Sequence, residues 1–305
     1  MKISCLEDLA DYAGLLETKP AVAVVEAHEA NTIKSVTDAV QSGLITPLLI
    51  GNSDKISELL MQSGCAPSSF NIYPANSAAE SLKCAVSLIN DGTASALMKG
   101  HIESHDFLKE VVNRDNNLLS GKLLSLTALF ELSGYHKLLA LSDIVLNTSP
   151  DLDGKKSILE NAVGMLNALG IENPKVAVLA AVDKINPKMP ETVDAGALKQ
   201  MNESGEIANC IVEGPISFDL ATSAEAARIK GYQSPVAGDA DLLIVPDVSS
   251  GNILAKCLTG MAGARTAGTI LGAKVPIILT SRSADAHDKY YSIALAACVA
   301  AAISS

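Results

Sequence analysis

The sequence predicts an α/β protein built on mainly parallel sheets. Strand-like apolar runs alternate with segments of helical period, a pattern that is typical of βαβ units. Hydrophobic residues make up 48% of the chain and aromatic residues only 3%. Small aliphatic side chains must therefore do most of the packing, as in helices laid on a parallel sheet. A chain of 305 residues is long enough for two such domains.

The alternation is clearest in the first hundred residues. Each predicted strand ends in polar or glycine residues, and a segment of helical period such as "NTIKSVTDAVQSG" follows it. A connection of this kind joins parallel neighbours and covers a face of the sheet. The predicted strands of this part are residues 21–27, 46–52, 71–75 and 94–100.

The pattern changes near residue 125. Residues 123–132 are apolar but do not fit the alternation, so we expect a second domain to begin there. It continues with a predicted helix at 155–170 and a strand at 175–182. Near the carboxyl terminus, residues 275–279 predict a short buried strand, and residues 290–304 predict an apolar core helix.

Composition also limits the function classes. The net charge of −11 argues against a general nucleic-acid binder, which should present a basic face. The six cysteines form no CxxC pair, so we interpret them as reduced and mostly buried rather than as disulfides or zinc ligands. No signal peptide or membrane-spanning run is recognisable, which predicts a cytoplasmic protein.

Several catalytic motifs are missing from the sequence. No GxGxxG follows a strand, which leaves a Rossmann dinucleotide site unsupported, and no GxSxG nucleophile elbow occurs. In "HIESH", His101 and His105 have the spacing of two helical zinc ligands, but Glu103 is in the wrong position for a zincin. We therefore predict no metal site.

Charged and small residues gather instead where predicted strands end. Because ligands of open α/β sheets bind at the carboxyl ends of the strands, these residues are candidates for substrate binding. Each could equally serve a helix cap, as "SSGN" before "ILAKCL" would. The candidates are Lys99, Gly100, Asp219, Gly251, Asn252 and Lys256.

The stretch "SRSADAHD" predicts an anion site. It lies between the last predicted strand and the last helix, with Ser283 or Asp285 as the helix N-cap. Ser281 and Arg282 then lie beside free backbone N–H groups, where the helix dipole and a guanidinium together favour phosphate. The alternative for Arg282 is a weak surface ion pair with Asp285 or Asp288.

These motifs resemble a known family. "GPISFD", "SPVAGDADLLIVPDVSSGNILAKCL" and "GAKVPIILTSRS" are similar to the phosphate acetyltransferase and phosphate butyryltransferase family, and "VAGDADLLIVPD" looks closer to the butyryl branch. The resemblance implies reversible transfer of a short acyl group, butyryl or acetyl, between coenzyme A (CoA) and inorganic phosphate. It also implies no cofactor besides CoA as substrate, acyl phosphate as the product, and a homodimer.

The resemblance assigns roles to individual residues. Arg282 is expected at phosphate, Ser281 as a hydrogen-bond donor, and Asp288, seven residues after the serine, as the catalytic base. Asp285 is the rival base. Lys99 is expected to share the binding of the anion, and the acyl group is expected to pass directly between the substrates in a ternary complex.

The resemblance further implies two α/β/α domains with an interdomain cleft, as in the isocitrate-dehydrogenase group. We expect residues 1–125 plus 270–305 to form the first domain and residues 126–269 the second. Two other functions stay open at this point. One is a metal-dependent decarboxylating dehydrogenase on the same fold, which would use Asp239, Asp241 and Asp247. The other is a non-catalytic binding protein for acyl-CoA or acyl phosphate.

Overall fold

The computed structural model describes residues 3–280 and 284–304 and confirms the α/β class. Contacts within the chain form two compact units. Unit 1 contains residues 6–122 and 267–304, and unit 2 contains residues 3–5 and 123–266. The domain boundaries drawn from the sequence stay a prediction.

Strands and helices alternate through most of the chain. The strands are β1 Ala21–Val25, β2 Thr46–Gly51, β3 Asn71–Pro74, β4 Ala96–Lys99, β5 Ser125–Glu131, β6 Leu139–Ser142, β7 Lys175–Leu179, β8 Ile211–Ile216, β9 Leu242–Ile244, β10 Arg265–Leu271 and β11 Ile277–Ile278. The helices are α1 Leu6–Gly14, α2 Ala30–Gln41, α3 Ser53–Gln62, α4 Ala78–Asn90, α5 Ser104–Val112, α6 Leu152–Ala168, α7 Pro190–Glu203, α8 Phe218–Thr222, α9 Ala224–Lys230, α10 Val248–Gly260 and α11 Ala286–Ser304.

The sheet of unit 1 carries a parallel run in the order β3-β2-β1-β4-β11. Val25 at the end of β1 is in register with Ile50 of β2 and with Lys99 of β4, so these strands end at one edge. β10 pairs with β11 in the antiparallel sense. Helix α11 packs against α1 and α2, and it is buried around most of its circumference because it lies in the core.

The sheet of unit 2 has the order β5-β6-β9-β7-β8. β6, β9, β7 and β8 are parallel, but β5 is antiparallel to β6. Antiparallel neighbours need only a short connection, whereas parallel neighbours need a crossover. This pairing is the physical reason why residues 123–132 interrupt the strand–helix alternation in the sequence.

A buried carboxylate organises the turn after β6, and its removal is a test of the fold. Asp143 is 3% exposed, and its two oxygens accept hydrogen bonds from the backbone N–H groups of Leu126, Val145, Leu146 and Asn147. Asp143→Ala leaves these donors unpaired, so we expect the free energy of unfolding to fall by more than about 3 kcal/mol. Urea denaturation measures the change. Asp143→Asn keeps one acceptor and should lose less, and equal stabilities of all three proteins would contradict this role.

None of the six cysteines forms a disulfide, as the sequence predicts. The prediction that most are buried is wrong, because only Cys210 and Cys298 are buried and Cys257 is exposed. Over the described residues, the helices are too short or too polar for any of them to cross a bilayer.

Candidate functional site

A cavity of about 420 Å³ lies in unit 1 where β4 ends. It is bordered by charged residues from three places: the loop after β1, the turn after β4, and the segment around the start of α11. We call it the unit 1 pocket. Its lining residues are Glu29, Lys99, Gly100, His101, Ile102, Glu103, Thr280 and Lys289.

Two residues predicted to bind substrate, Lys99 and Gly100, lie in this pocket. Lys99 is the last residue of β4 and is 6% exposed. Its ammonium donates hydrogen bonds to the carbonyl oxygens of Gly100 (3.2 Å) and Ile102 (2.8 Å). The lysine therefore brings positive charge to the carboxyl end of the strand, which is where a bound anion would need it.

Gly100 allows the backbone after β4 to pass very close to the backbone after β1. Its N–H donates to the carbonyl of Val25, and the N–H of His101 donates to the carbonyl of Glu26, both at 2.8 Å. A Cβ atom at position 100 would lie 2.4 Å from the Glu26 oxygen and 2.5 Å from the Val25 oxygen. Glycine is thus required at position 100, because the segments after β1 and β4 approach each other so closely.

The loop after β1 carries a glutamate–histidine pair. Glu26 is buried, has a φ of 51°, and accepts a hydrogen bond from the hydroxyl of Ser81. Its other carboxylate oxygen lies 3.5 Å from Nε2 of His28. Burial lowers the pKa of His28 below its usual value, although the carboxylate of Glu26 opposes this effect. The ring of His28 lies 5.5 Å from the ring of His101, which lines the pocket.

The first turn of α11 carries the predicted base. The Asp285 carboxylate accepts a hydrogen bond of 2.9 Å from the backbone N–H of Asp288. This bond confirms the prediction that Asp285 is an N-cap. Asp288 is half-buried, and its carbonyl oxygen accepts a hydrogen bond from Ser292. The two candidate bases therefore differ in structure, because one of them is committed to capping the helix.

Ser281 and Arg282 lie outside the described residues. Thr280, which precedes them in the chain, lines the unit 1 pocket. The roles of Ser281 and Arg282 stay predictions.

The other four predicted substrate-binding residues belong to unit 2. Asp219 is exposed on α8 and forms an ion pair of 2.7 Å with Lys230. Hydrogen bonds from Lys230 and Ser217 lower the pKa of Asp219 to about 2. These contacts are those of a surface ion pair, so they give no support to a role in binding.

The remaining three lie on α10. A Cβ atom at Gly251 would lie 2.6 Å from the carbonyl oxygen of Asp143, and the Asn252 amide donates to the carbonyl of Ile144. Gly251 and Asn252 therefore hold α10 against the turn after β6, whereas Lys256 is exposed. Their part in substrate binding stays a prediction.

The aspartates considered for a dehydrogenase metal site do not form one cluster. Asp239 and Asp241 lie before β9, at the amino end of the parallel strands, and both are paired with Lys137. Asp239 also pairs with Lys175. Burial alone would raise the pKa of Asp239, but hydrogen bonds from its lysine partners hold it well below the usual range. Asp247 follows β9 and caps α10. Asp239 and Asp241 are thus paired with lysines, whereas Asp247 serves as a helix cap.

Sequence reasoning missed Glu29 and Lys289, which line the pocket as an ion pair between a half-buried glutamate and a buried lysine. Glu29 follows the first strand and could have been included with the other polar strand ends. Lys289 gives no such signal, because its partner lies 260 residues away in the chain.

The chain is similar to known proteins over most of its length. Residues 75–297 match the family model "Phosphate acetyl/butaryl transferase". The chain is 40% identical over 280 residues to the phosphate butyryltransferase of Clostridium acetobutylicum, covering 92% of this chain and 93% of that protein. It is 39% identical over 279 residues to the phosphate acetyltransferase of Thermotoga maritima, covering 90% and 94%. The crystal structure of a branched-chain phosphotransacylase from Enterococcus faecalis V583 matches with a TM-score of 0.80 at 32% identity, covering 92% and 99%.

Proposed function

Because the chain belongs to the phosphate acetyl/butyryl transferase family, we propose that it transfers a short acyl group reversibly between CoA and inorganic phosphate. The observation that carries this proposal is the family match over residues 75–297, which includes every residue that the sequence assigned to the site. The proposed acyl group is butyryl or a related branched chain, and acetyl is the second candidate. The butyryl-like motifs and the branched-chain phosphotransacylase neighbour support that order.

The chemistry requires a base. When CoA attacks an acyl phosphate, the sulfur–carbon bond forms, the carbon–oxygen bond to phosphate breaks, and the thiol loses its proton. A thiol with a pKa of about 8.5 is only a few per cent ionised near neutral pH. A carboxylate close to the thiol accepts this proton as the new bond forms.

We assign the base to Asp288. Its place in the first turn of the helix that follows Thr280 supports the assignment, as does the commitment of Asp285 to the N-cap. Arg282 and Lys99 would hold the phosphate, because cations stabilise the charge that it carries as it leaves. Ser281 would donate a hydrogen bond to the acyl carbonyl oxygen or to the CoA sulfur. The transfer then proceeds directly in a ternary complex, without an acyl-enzyme.

The test follows the release of free CoA with a thiol reagent. The purified chain is given acetyl-CoA, butyryl-CoA or isobutyryl-CoA, each with phosphate and with sulfate at equal ionic strength. We expect release that depends on phosphate and is fastest with butyryl-CoA or isobutyryl-CoA. If no donor releases CoA although equilibrium dialysis shows that acyl-CoA binds, the chain is a binding protein and the transferase proposal fails.

The proposal includes three further statements that the resemblance supports. The reaction needs no metal ion or prosthetic group, the protein is a homodimer, and it acts in the cytoplasm without a nucleic-acid or membrane partner. Release of CoA should therefore be unchanged after treatment with EDTA. Light scattering should give twice the chain mass of 31.6 kDa, and a mass of one chain would contradict the dimer.

A further inference from the structure

We propose that Lys289 and Glu29 are positioning residues, whose half-buried ion pair fixes the first turn of α11 and thereby holds Asp288 beside the unit 1 pocket. The inference rests on the proposed function, because it assigns a role toward the base of that reaction.

The pair belongs to a closed set of hydrogen bonds. Lys289 is 4% exposed, and its ammonium donates to a carboxylate oxygen of Glu29 and, at 3.1 Å, to the hydroxyl of Thr32. The hydroxyl of Thr32 donates in turn to the same glutamate oxygen. Burial alone would raise the pKa of Glu29, but these hydrogen bonds lower it below its usual value. These hydrogen bonds therefore favour the ionised form of the Glu29 carboxyl group.

The topology gives the pair its position. Strand β4 lies between β1 and β11, and it carries Lys99 at its carboxyl end. Glu29 belongs to the connection after β1, and Lys289 belongs to the helix after β11. The ion pair thus joins the segments that follow the two neighbours of β4. Both of its members line the unit 1 pocket together with Lys99.

The ion pair ties the first turn of α11 to the rest of unit 1, and hydrogen bonds from Tyr290 to Ser42 and from Tyr291 to Glu7 follow it along the helix. Within the helix, Asp285 and Ser292 fix the backbone of Asp288, but both belong to the same helix and cannot place its first turn in the unit. Lys289 is the next residue in that turn and reaches across to the start of α2. A buried ion pair is seldom more stabilising than apolar side chains of equal volume. Here the ion pair contributes direction instead, because its hydrogen bonds fix one position of the first turn of α11 relative to the start of α2.

Four variants distinguish a positioning role of the Lys289–Glu29 pair from a role in stability alone. Lys289→Met and Glu29→Gln each break the pair, and the double variant Lys289→Met with Glu29→Met replaces it by apolar contact. The matched control is Asp194→Asn in unit 2. It removes the partner of Lys155, another buried lysine, from an ion pair of 2.6 Å.

We expect both single variants to lower kcat for CoA release by about 10- to 100-fold, with KM for phosphate changed by less than about threefold. The double variant should regain thermal stability but not kcat. Asp194→Asn should lose stability while its kcat stays within about twofold of wild type. A double variant that regains kcat together with stability would show that the pair is only structural.

A second measurement does not depend on turnover. Hydrogen exchange of the backbone amides of Asp288 and Lys289 should become faster in Lys289→Met and in Glu29→Gln, but not in Asp194→Asn. Unchanged exchange in both single variants would overturn the proposal. If the wild-type chain releases no CoA, the proposed function fails, and hydrogen exchange still decides whether the pair fixes this turn.

Discussion

Asp288→Asn is expected to reduce phosphate-dependent CoA release by about 100-fold or more, while Asp285→Asn stays within about threefold of wild type. The two changes are chemically identical and lie three residues apart in one helical turn. Asparagine at position 288 can neither accept the thiol proton when CoA attacks the acyl phosphate nor return a proton to the sulfur when CoA is released. At position 285 it still accepts the backbone N–H of Asp288, because asparagine and aspartate are equally good N-caps.

The measurement is kcat and KM for each substrate, in both directions of the reaction. Loss confined to kcat in Asp288→Asn indicates that binding survives and that proton transfer is affected. Asp285→Ala serves as the control for capping, since it should lower stability by about 1 kcal/mol without the large loss of kcat. If Asp285→Asn is the inactive variant, the base is misassigned. If both are near wild type, neither carboxylate is the base.

The fold was largely predictable because its signals are local. Each of the first four predicted strands corresponds to one of β1 to β4. β1, β2 and β4 are largely buried, and a buried parallel strand is a short apolar run that ends in polar residues, whereas β3 lies at the sheet edge and is half-exposed. The last helix was also predictable, although α11 begins at Ala286 rather than at residue 290. The antiparallel pairing of β5 with β6 was not predictable, because strand direction depends on partners that are distant in the sequence.

The sequence identified candidate binding residues of the unit 1 pocket only at the end of one predicted strand, β4. Lys99 ends and Gly100 follows a clearly predicted strand, and both line the unit 1 pocket. The same argument applied to Asp219 is not supported, because its carboxylate pairs with Lys230 on the surface. A polar residue after a strand has the same sequence pattern whether it meets a ligand or a nearby lysine. Only the tertiary contacts separate the two cases.

Gly100→Ala is expected to be the most damaging small substitution in unit 1. The added Cβ would meet the backbone carbonyl oxygens of Glu26 and Val25 at 2.4 and 2.5 Å, closer than such atoms ever approach. Neither oxygen can move freely, because Val25 is paired with β2 and β4, and Glu26 accepts the N–H of His101. The strand ends that border the unit 1 pocket must therefore separate. We expect the free energy of unfolding to fall by about 3 kcal/mol or more.

Gly164→Ala provides the matched control, since Gly164 is an exposed residue inside α6 where a Cβ would meet nothing within 4 Å. Alanine there should raise the free energy of unfolding by about 0.5–1 kcal/mol, because glycine is a poor helix former. Urea denaturation compares the two variants, and CoA release is measured on the folded fraction of each. Gly100→Ala should also lose most of its activity, since Lys99 and His101 are displaced together with the turn. A Gly100→Ala protein as stable and active as wild type would mean that β1 and β4 do not approach this closely in solution.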